Sequence, residues 1–277
     1  ISVSSIALQD LALDSSGNVY VGGFSISGII NIHVKKYLSA TGSLSWTKTD
    51  NAGNWGGTGR VITNAKDEII AVFNAGNRSI FFRKFNSVGQ VMASSTGSGT
   101  FTNAYFEPNI ESLCLDKNDN VFIGGNESGF NTKNLYLLVT NPSGTVAYEN
   151  KNSNKSISAT GIGVDTSGSV YMSGSTAIYV YVNRNYLTKY ELVGSGFLYG
   201  AVIDSNNYLY SCGYVNYGGN GKDIYVGKYK IDTIIPQVEG INGYFKIVGG
   251  KDGYINNLKG ESALFYYRTD SAGICTF

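Results

Sequence analysis

Proline is nearly absent from this chain, charge is scarce and cysteines are few, and each shortage removes a class of protein. Its 277 residues include 3 prolines, 3 cysteines and 1 histidine, with 15% charged residues and a net charge of +1. A nucleic-acid binder needs clustered Lys and Arg to neutralise phosphates, so this near-neutral balance argues against that partner. No apolar run approaches the roughly 18 residues that a membrane-crossing helix requires. Cys114, Cys212 and Cys275 are far apart and odd in number, which is no disulfide framework. They read as buried small hydrophobes with at most one bridge. A single histidine and the lack of CxxC spacing leave no zinc ligand set, so neither a metal nor a cofactor is expected. Residue 1 is Ile and no basic-then-apolar leader follows, so a processed chain or an excerpt of a longer one is expected.

What is present in quantity is glycine (36) and tyrosine (21). With abundant Asn, Ser and Thr, this composition suits an extracellular or cell-surface β protein. One short stretch also recurs. "LDSSGNVYVGG" (13–23) is matched by "LDKNDNVFIGG" (115–125), "VDTSGSVYMSG" (164–174) and "IDSNNYLYSCG" (203–213). Weaker copies are "TNAKDEIIAVF" (63–73) and "VGGKDGYINNL" (248–258). The residues that open the turn are Asp14, Asn64, Asp116, Asp165, Asp204 and Gly249, spaced by 50, 52, 49, 39 and 45 residues. Three residues further on stand Gly17, Asp67, Asp119, Gly168, Asn207 and Asp252. All belong to the types that tolerate φ > 0, as a short hairpin turn demands. The Asp side chains are expected to accept N–H groups within their own turns.

A second element follows each hairpin: a strand ending in Lys-aromatic, then a turn with Gly. Examples are "HVKKYLSATG" (33–42), "FFRKFNSVG" (81–89) and "YLTKYELVG" (186–194). A fourth short strand comes next, as in "SLSWTK" (43–48) and "QVMASS" (90–95). Four strands per unit at this period predict propeller blades. The expected architecture is all-β: one propeller domain over 1–277, with six antiparallel blades near 6–50, 58–96, 109–150, 158–194, 197–240 and 243–277. The stretch 175–190, "STAIYVYVNRNYLTKY", holds two candidate third strands.

"VKKYLSATGSLSWTK" followed by the next hydrophobic-turn-hydrophobic hairpin resembles the seven-bladed beta-propeller repeat of secreted bacterial and archaeal proteins. That resemblance implies a secreted propeller, although six units are counted here.

Candidate chemistry is thin. His33 reads as an ordinary strand residue unless a nucleophile and an orienting group assemble around it. Asp116, Asn118 and Asn120 alternate like a calcium loop but lack its central glycine and distal Glu. Asp10, Glu107 and Glu111, near the starts of first strands, are the best carboxylates for a glycosidase-type funnel. Lys36, Lys84, Lys189 and Lys228 precede the third-strand aromatic. They read either as a ring of positive charge or as solvated lysines whose stems cover a neighbour. The sequons at Asn77, Asn126 and Asn154 carry little weight in so Asn-rich a chain. Trp46 falls on a strand and reads as core. Trp55, Tyr105, Tyr214 and Tyr217 fall near loops and are the candidate binding aromatics.

The expected function is a non-catalytic extracellular binding or assembly module that presents loops to a protein or glycan partner. The alternatives are a subunit of a larger cell-surface or secretion assembly, and a carbohydrate-active enzyme. No nucleic-acid partner and no direct membrane span are expected.

Overall fold

The computed structural model describes residues 6–27, 29–53, 59–75, 79–97, 107–128, 133–156, 159–182, 185–191, 196–216, 222–231, 268–269 and 275–276. They fall into two compact units, 1–159 and 160–277. The first unit holds three sheets. β1 (Ile6–Leu13), β2 (Val19–Ser27), β3 (Ile29–Tyr37) and β4 (Leu44–Gly53) form the first. β5 (Gly59–Thr63), β6 (Ile69–Ala75), β7 (Ser79–Phe85) and β8 (Val91–Gly97) form the second. β9 (Glu107–Leu115), β10 (Val121–Ser128), β11 (Lys133–Thr140) and β12 (Val146–Ser156) form the third.

The second unit holds a fourth sheet of β13 (Gly161–Val164), β14 (Val170–Gly174), β15 (Ala177–Val182) and β16 (Asn185–Glu191). A fifth follows, described as three strands: β17 (Gly196–Ile203), β18 (Tyr208–Asn216) and β19 (Lys222–Lys230). Two short strands, β20 (Arg268–Thr269) and β21 (Cys275–Thr276), pair with each other. Every described pairing is antiparallel. In the fourth sheet the ambiguity of the sequence is resolved: β15 is the third strand. "YLTKY" lies on the fourth, so Lys189 pairs with Tyr179 across that edge and is not equivalent to Lys36.

The hairpin turns confirm the repeat at the level of single atoms. Gly17, Asp67, Asp119, Gly168 and Asn207 all have positive φ, between 58° and 87°. The sixth position, Asp252, lies outside the described residues. In the first turn the N–H of Gly17 donates to the carbonyl of Asp14, and the Asp14 N–H donates to Asn18. One carboxylate oxygen, Asp14 Oδ1, then accepts the N–H groups of Ser16 (3.1 Å) and Asn18 (2.8 Å). Asp116, Asp165 and Asp204 accept the N–H groups two and four residues on in the same way. Asp116 is therefore occupied by its own turn, as its counterparts are.

The other carboxylate oxygen anchors the sheet. Tyr20 Oη donates to Asp14 Oδ2 at 2.9 Å, and Tyr171 and Tyr210 repeat this bond to Asp165 and Asp204. Lys36 Nζ lies 3.4 Å from the same Asp14 oxygen, with both side chains buried. The second sheet keeps the charge pair with its parts exchanged. Asn64 Oδ1 takes the turn N–H groups, and Glu68 supplies the carboxylate to Lys84 at 2.6 Å. Lys36 and Lys84 are thus neither a free ring of charge nor solvated, which corrects both sequence readings of them.

Sheets pack face to face through first strands, β1 against β5 and β5 against β9 in one unit, β13 and β14 against β17 in the other. β6 shows why its sequence is apolar throughout. Ile69, Ala71 and Phe73 join Tyr20, Ile32 and Val34 of the first sheet, while Ile70 and Val72 join Ile110, Val121 and Ile123 of the third. A Cβ on Gly22 would stand 2.7 Å from Val61 Cγ1, so glycine there admits the neighbouring sheet. Trp46 is half-buried against Tyr20 and Phe85, and its Nε1 donates to the carbonyl of Ser87. The cysteine expectation holds only in part. Cys114 is half-buried, but Cys212 is exposed, and both are free thiols.

Burial alone would raise the Asp14 and Glu68 pKa values. Hydrogen bonds from Asn18 and Tyr20 to Asp14, and from Lys84 and Asn64 to Glu68, outweigh it, and each carboxyl sits below its ordinary value. A depressed carboxylate contributes stability above its unfolded pKa of about 4 and loses it as pH falls through the folded value. Thermal unfolding is therefore expected to show a steep loss of stability below about pH 4. Asp14→Asn, which keeps the turn acceptor but strands buried Lys36, should cost about 3 kcal/mol at pH 7 and flatten that acid slope. Asp14→Ala should cost about 1 kcal/mol more for each turn hydrogen bond lost.

Candidate functional site

An up-and-down sheet has two unlike ends. In the first three sheets, turns between strands one and two and between strands three and four lie at one end. Five of these six turns are closed by the same backbone pattern, at 14–18, 64–68, 86–90, 116–120 and 141–145, and the sixth, at 38–43, is one residue longer. The opposite end carries the connections between strands two and three and the links to the next sheet, and these vary in length and sequence. Variable connections on a repeated framework are where binding groups are placed. Trp55, Tyr105 and Tyr217 lie outside the described residues, in the connections β4–β5, β8–β9 and β18–β19. The first two are links between successive sheets of the first unit, and the third joins strands two and three of the fifth sheet.

Tyr214, near the end of β18, is described and is not isolated. Its ring meets Tyr199 at a centroid distance of 5.8 Å and a tilt of 45°, and Tyr199 meets Phe197 at 5.2 Å and 46°. Phe197 and Tyr214 are cross-strand partners. Tyr199 is more than half exposed, and Phe197 and Tyr214 are half-buried. Tyr199 reaches this position because β17 bulges between Leu198 and Gly200. The bulge recurs at the same level of the repeat: Gln9 is the extra residue of β1 and Glu111 that of β9, each opposite the glycine pair of the second strand. Bulges re-aim a side chain at sheet rims and sites. Sequence reasoning singled out Tyr214 and missed Phe197 and Tyr199. The available signal was the five-residue offset of Tyr199 from Asp204, shared with Gln9 and Glu111.

The candidate carboxylates are already engaged. Asp10 Oδ2 accepts the Val61 N–H at 3.0 Å. Arg60 donates its Nε–H to the Glu111 carbonyl at 2.7 Å, and its Nη2 is 3.4 Å from Glu111 Oε2. The side chain of Glu107 lies outside the described residues. Arg83 sits 3.6 Å over the Phe81 ring and 3.2 Å from Asp50. Among the described residues no group of three His, Cys, Asp or Glu is placed to hold a metal ion. Asn126 is buried, which removes it as a glycosylation acceptor.

His33 does acquire neighbours. Its Nε2 is 2.7 Å from Ser25 Oγ and its Nδ1 is 3.0 Å from Thr49 Oγ1, a row across β2, β3 and β4. Ser25 is 4% exposed, so its hydroxyl is enclosed by the sheet and is no accessible nucleophile. The row is a cross-strand polar ladder.

Comparison with solved structures shows the fold. A protein of unknown function from Bacteroides caccae superposes with a TM-score of 0.55 at 13% identity, over 82% of this chain and 78% of that one. A glucose dehydrogenase gives 0.51 at 12% identity, over 80% and 82%. The extracellular domain of a putative one-component system from B. thetaiotaomicron gives 0.50 at 16%, over 97% of this chain and 32% of that one, so this chain spans about a third of it. No family model matches the sequence, and no curated protein matches it. No described helix is long and apolar enough to cross a membrane. The glucose dehydrogenase corrects the expectation of a module without catalysis. That expectation rested on the thin candidate chemistry of the sequence, and a similar scaffold carries an enzyme, because chemistry resides in groups set on the framework.

Burial, assisted by the charge of Lys35, holds the His33 pKa below its ordinary value. In the unfolded chain the imidazole takes up its proton near pH 6.5. The folded protein should therefore lose stability as pH falls through that value, until the folded ring also protonates. His33→Asn should remove this slope in thermal melts between pH 7 and 5, and proton NMR of the wild-type ring should titrate below 6.5. The chain is an all-β protein of repeated antiparallel sheets whose structural neighbours are beta-propeller-like proteins.

Proposed function

We propose that the chain is an extracellular β-propeller whose open end binds carbohydrate. The observation that carries this reading is the Phe197–Tyr199–Tyr214 cluster of the fifth sheet, in which Tyr199 is exposed and the other two rings are half-buried, at the end where the β18–β19 connection emerges. Aromatic faces bind the apolar faces of sugar rings while surrounding hydroxyl and amide groups take their hydroxyls. Tyr217 follows in the sequence directly after β18, in the β18–β19 connection of the same sheet. Composition, the resemblance to secreted propeller repeats and the likeness to an extracellular domain support an extracellular setting.

A glycan array probed with the full chain tests the reading. Binding to a defined class of oligosaccharide is expected. Tyr199→Ala and Tyr214→Ala should each weaken it roughly five- to tenfold, about 1 kcal/mol per lost stack, with little change in melting temperature. Absence of binding across the array, or binding untouched by both substitutions, would overturn the proposal. The bound oligosaccharide, recovered after incubation and weighed, reads out chemistry separately: a changed mass would assign the open end a reaction as well.

A further inference from the structure

The buried lysine of the second sheet comes with a third group that the first sheet lacks. Register places Lys84 opposite Ile70, six residues past Asn64, as Lys36 stands opposite Tyr20, six residues past Asp14. In the third and fourth sheets the corresponding residues are Val139 and Val180. The fifth sheet has Lys228 there, but its turn opens with the carboxylate of Asp204. Among the described sheets only the second therefore brings a lysine, an amide and a separate carboxylate together. Asn64 and Lys84 are 7% and 8% exposed, and the Glu68 side chain is 13% exposed.

These groups stand as acyl transfer from an amide to an amine requires. One oxygen, Glu68 Oε2, lies 2.6 Å from Lys84 Nζ and accepts from Asn64 Nδ2 at 2.7 Å. A carboxylate shared by two nitrogens can take a proton from one and give it to the other. Asn64 Oδ1 accepts the backbone N–H groups of Lys66 at 3.0 Å and of Glu68 at 2.9 Å. Two fixed N–H donors on an amide oxygen stabilise the negative charge that develops there when its carbon is attacked. Nδ2 also donates to Asp119 Oδ2 at 3.1 Å, which holds the amide in place. Asp14, at the same position of the first sheet, cannot serve in this way. Its ionised carboxylate repels a nucleophile, and no further carboxylate pairs with Lys36 among the described residues.

We propose that Lys84 and Asn64 become joined by an isopeptide bond that the folded chain forms by itself, with Glu68 moving the protons. Glu68 takes one proton from the Lys84 ammonium, which frees the amine lone pair. The amine attacks Asn64 Cγ, and one electron pair of the C=O bond moves to Oδ1, between the two N–H donors. Glu68 then gives its proton to Nδ2 and takes one from the attacking nitrogen. The C=O bond re-forms, the Cγ–Nδ2 bond breaks and ammonia leaves. Nothing is oxidised or reduced, and the product is a secondary amide. Although burial opposes it, hydrogen bonds from Lys84 and Asn64 hold Glu68 in its ionised form, so the neutral pair is a minor population and the bond forms slowly. Holding the groups together in a site shielded from water compensates for that. The bond ties the opening turn to the third strand and is independent of any ligand at the open end.

Intact-mass spectrometry of the purified full chain, repeated until the mass is constant, tests the proposal. A mass below the sequence value by one ammonia is expected, and a proteolytic digest should contain one fragment in which the peptides bearing Asn64 and Lys84 are joined. Glu68→Gln should slow formation of that fragment roughly a hundredfold. Lys84→Met combined with Glu68→Gln, which replaces the pair by uncharged groups, should keep both the fold and the full mass. Circular dichroism of each variant separates failure to react from failure to fold, and the wild-type mass decides independently of the variants. A folded wild-type chain that keeps its full mass would overturn the proposal. So would an ammonia loss that maps to a succinimide or to another pair of residues, or a folded Glu68→Gln chain that cross-links as fast as the wild type.

Discussion

The structure depends on one carboxylate doing two things. Oδ1 of the Asp that opens the first turn of the first, third, fourth and fifth sheets accepts two N–H groups of its own turn, which holds the hairpin. Where a Tyr stands six residues on, Oδ2 accepts its hydroxyl, which ties the turn to the middle of the sheet. In the first sheet the same oxygen also compensates a buried lysine. An ammonium inside a β core costs several kcal/mol unless it is paired, so Lys36 and Asp14 are kept or lost together. The second sheet makes this visible. Its opening residue is Asn, which still satisfies the turn, and the negative charge reappears at Glu68 to meet Lys84. Charge balance is preserved across a sequence change that looks like a damaged repeat.

That arrangement occupies one end of the sheets and leaves the other free. Asp, Asn, Ser and Tyr side chains at the closed end are engaged in turns, in ties between neighbouring turns and in ion pairs. The open end carries connections of unequal length and a bulge that turns Tyr199 toward solvent. Bulges at Gln9, Glu111 and Tyr199 recur at one level, so the repeat itself provides a position at which side chains are re-aimed while their identities differ. A conserved frame with variable residues at one rim is compatible with binding, with catalysis, or with both. The presence of a glucose dehydrogenase among proteins of similar architecture is consistent with that separation of frame and chemistry.

Much of the frame was legible in the sequence because it depends on local rules. The left-handed positions at Gly17, Asp67, Asp119, Gly168 and Asn207 follow from a few neighbouring residues, and the alternating apolar strands follow from burial on both faces. The Lys-aromatic motif was less transparent. "YLTKY" looks like "HVKKY", yet it forms a fourth strand, because "AIYVYV" is the more apolar segment and takes the interior place. The lysines before the aromatic looked like surface charge because the sequence does not show which carboxylate lies opposite. His33 looked solitary, since Ser25 and Thr49 become its neighbours only through strand register.

By itself, the sequence determined the repeat, the turn type and the strand count of the better copies, all of which depend on residues a few positions apart. Tertiary structure decided which charges are buried, where the bulges fall and which aromatic rings meet. Those outcomes require strands from different hairpins to come into register, and turns of successive sheets to come within hydrogen-bond reach. The Asp67–Ser15 tie spans 52 residues and the Tyr199–Tyr214 stack depends on one bulged residue. No local preference encodes either: the first exists only after two sheets have packed, and the second only after β17 and β18 have paired around the bulge.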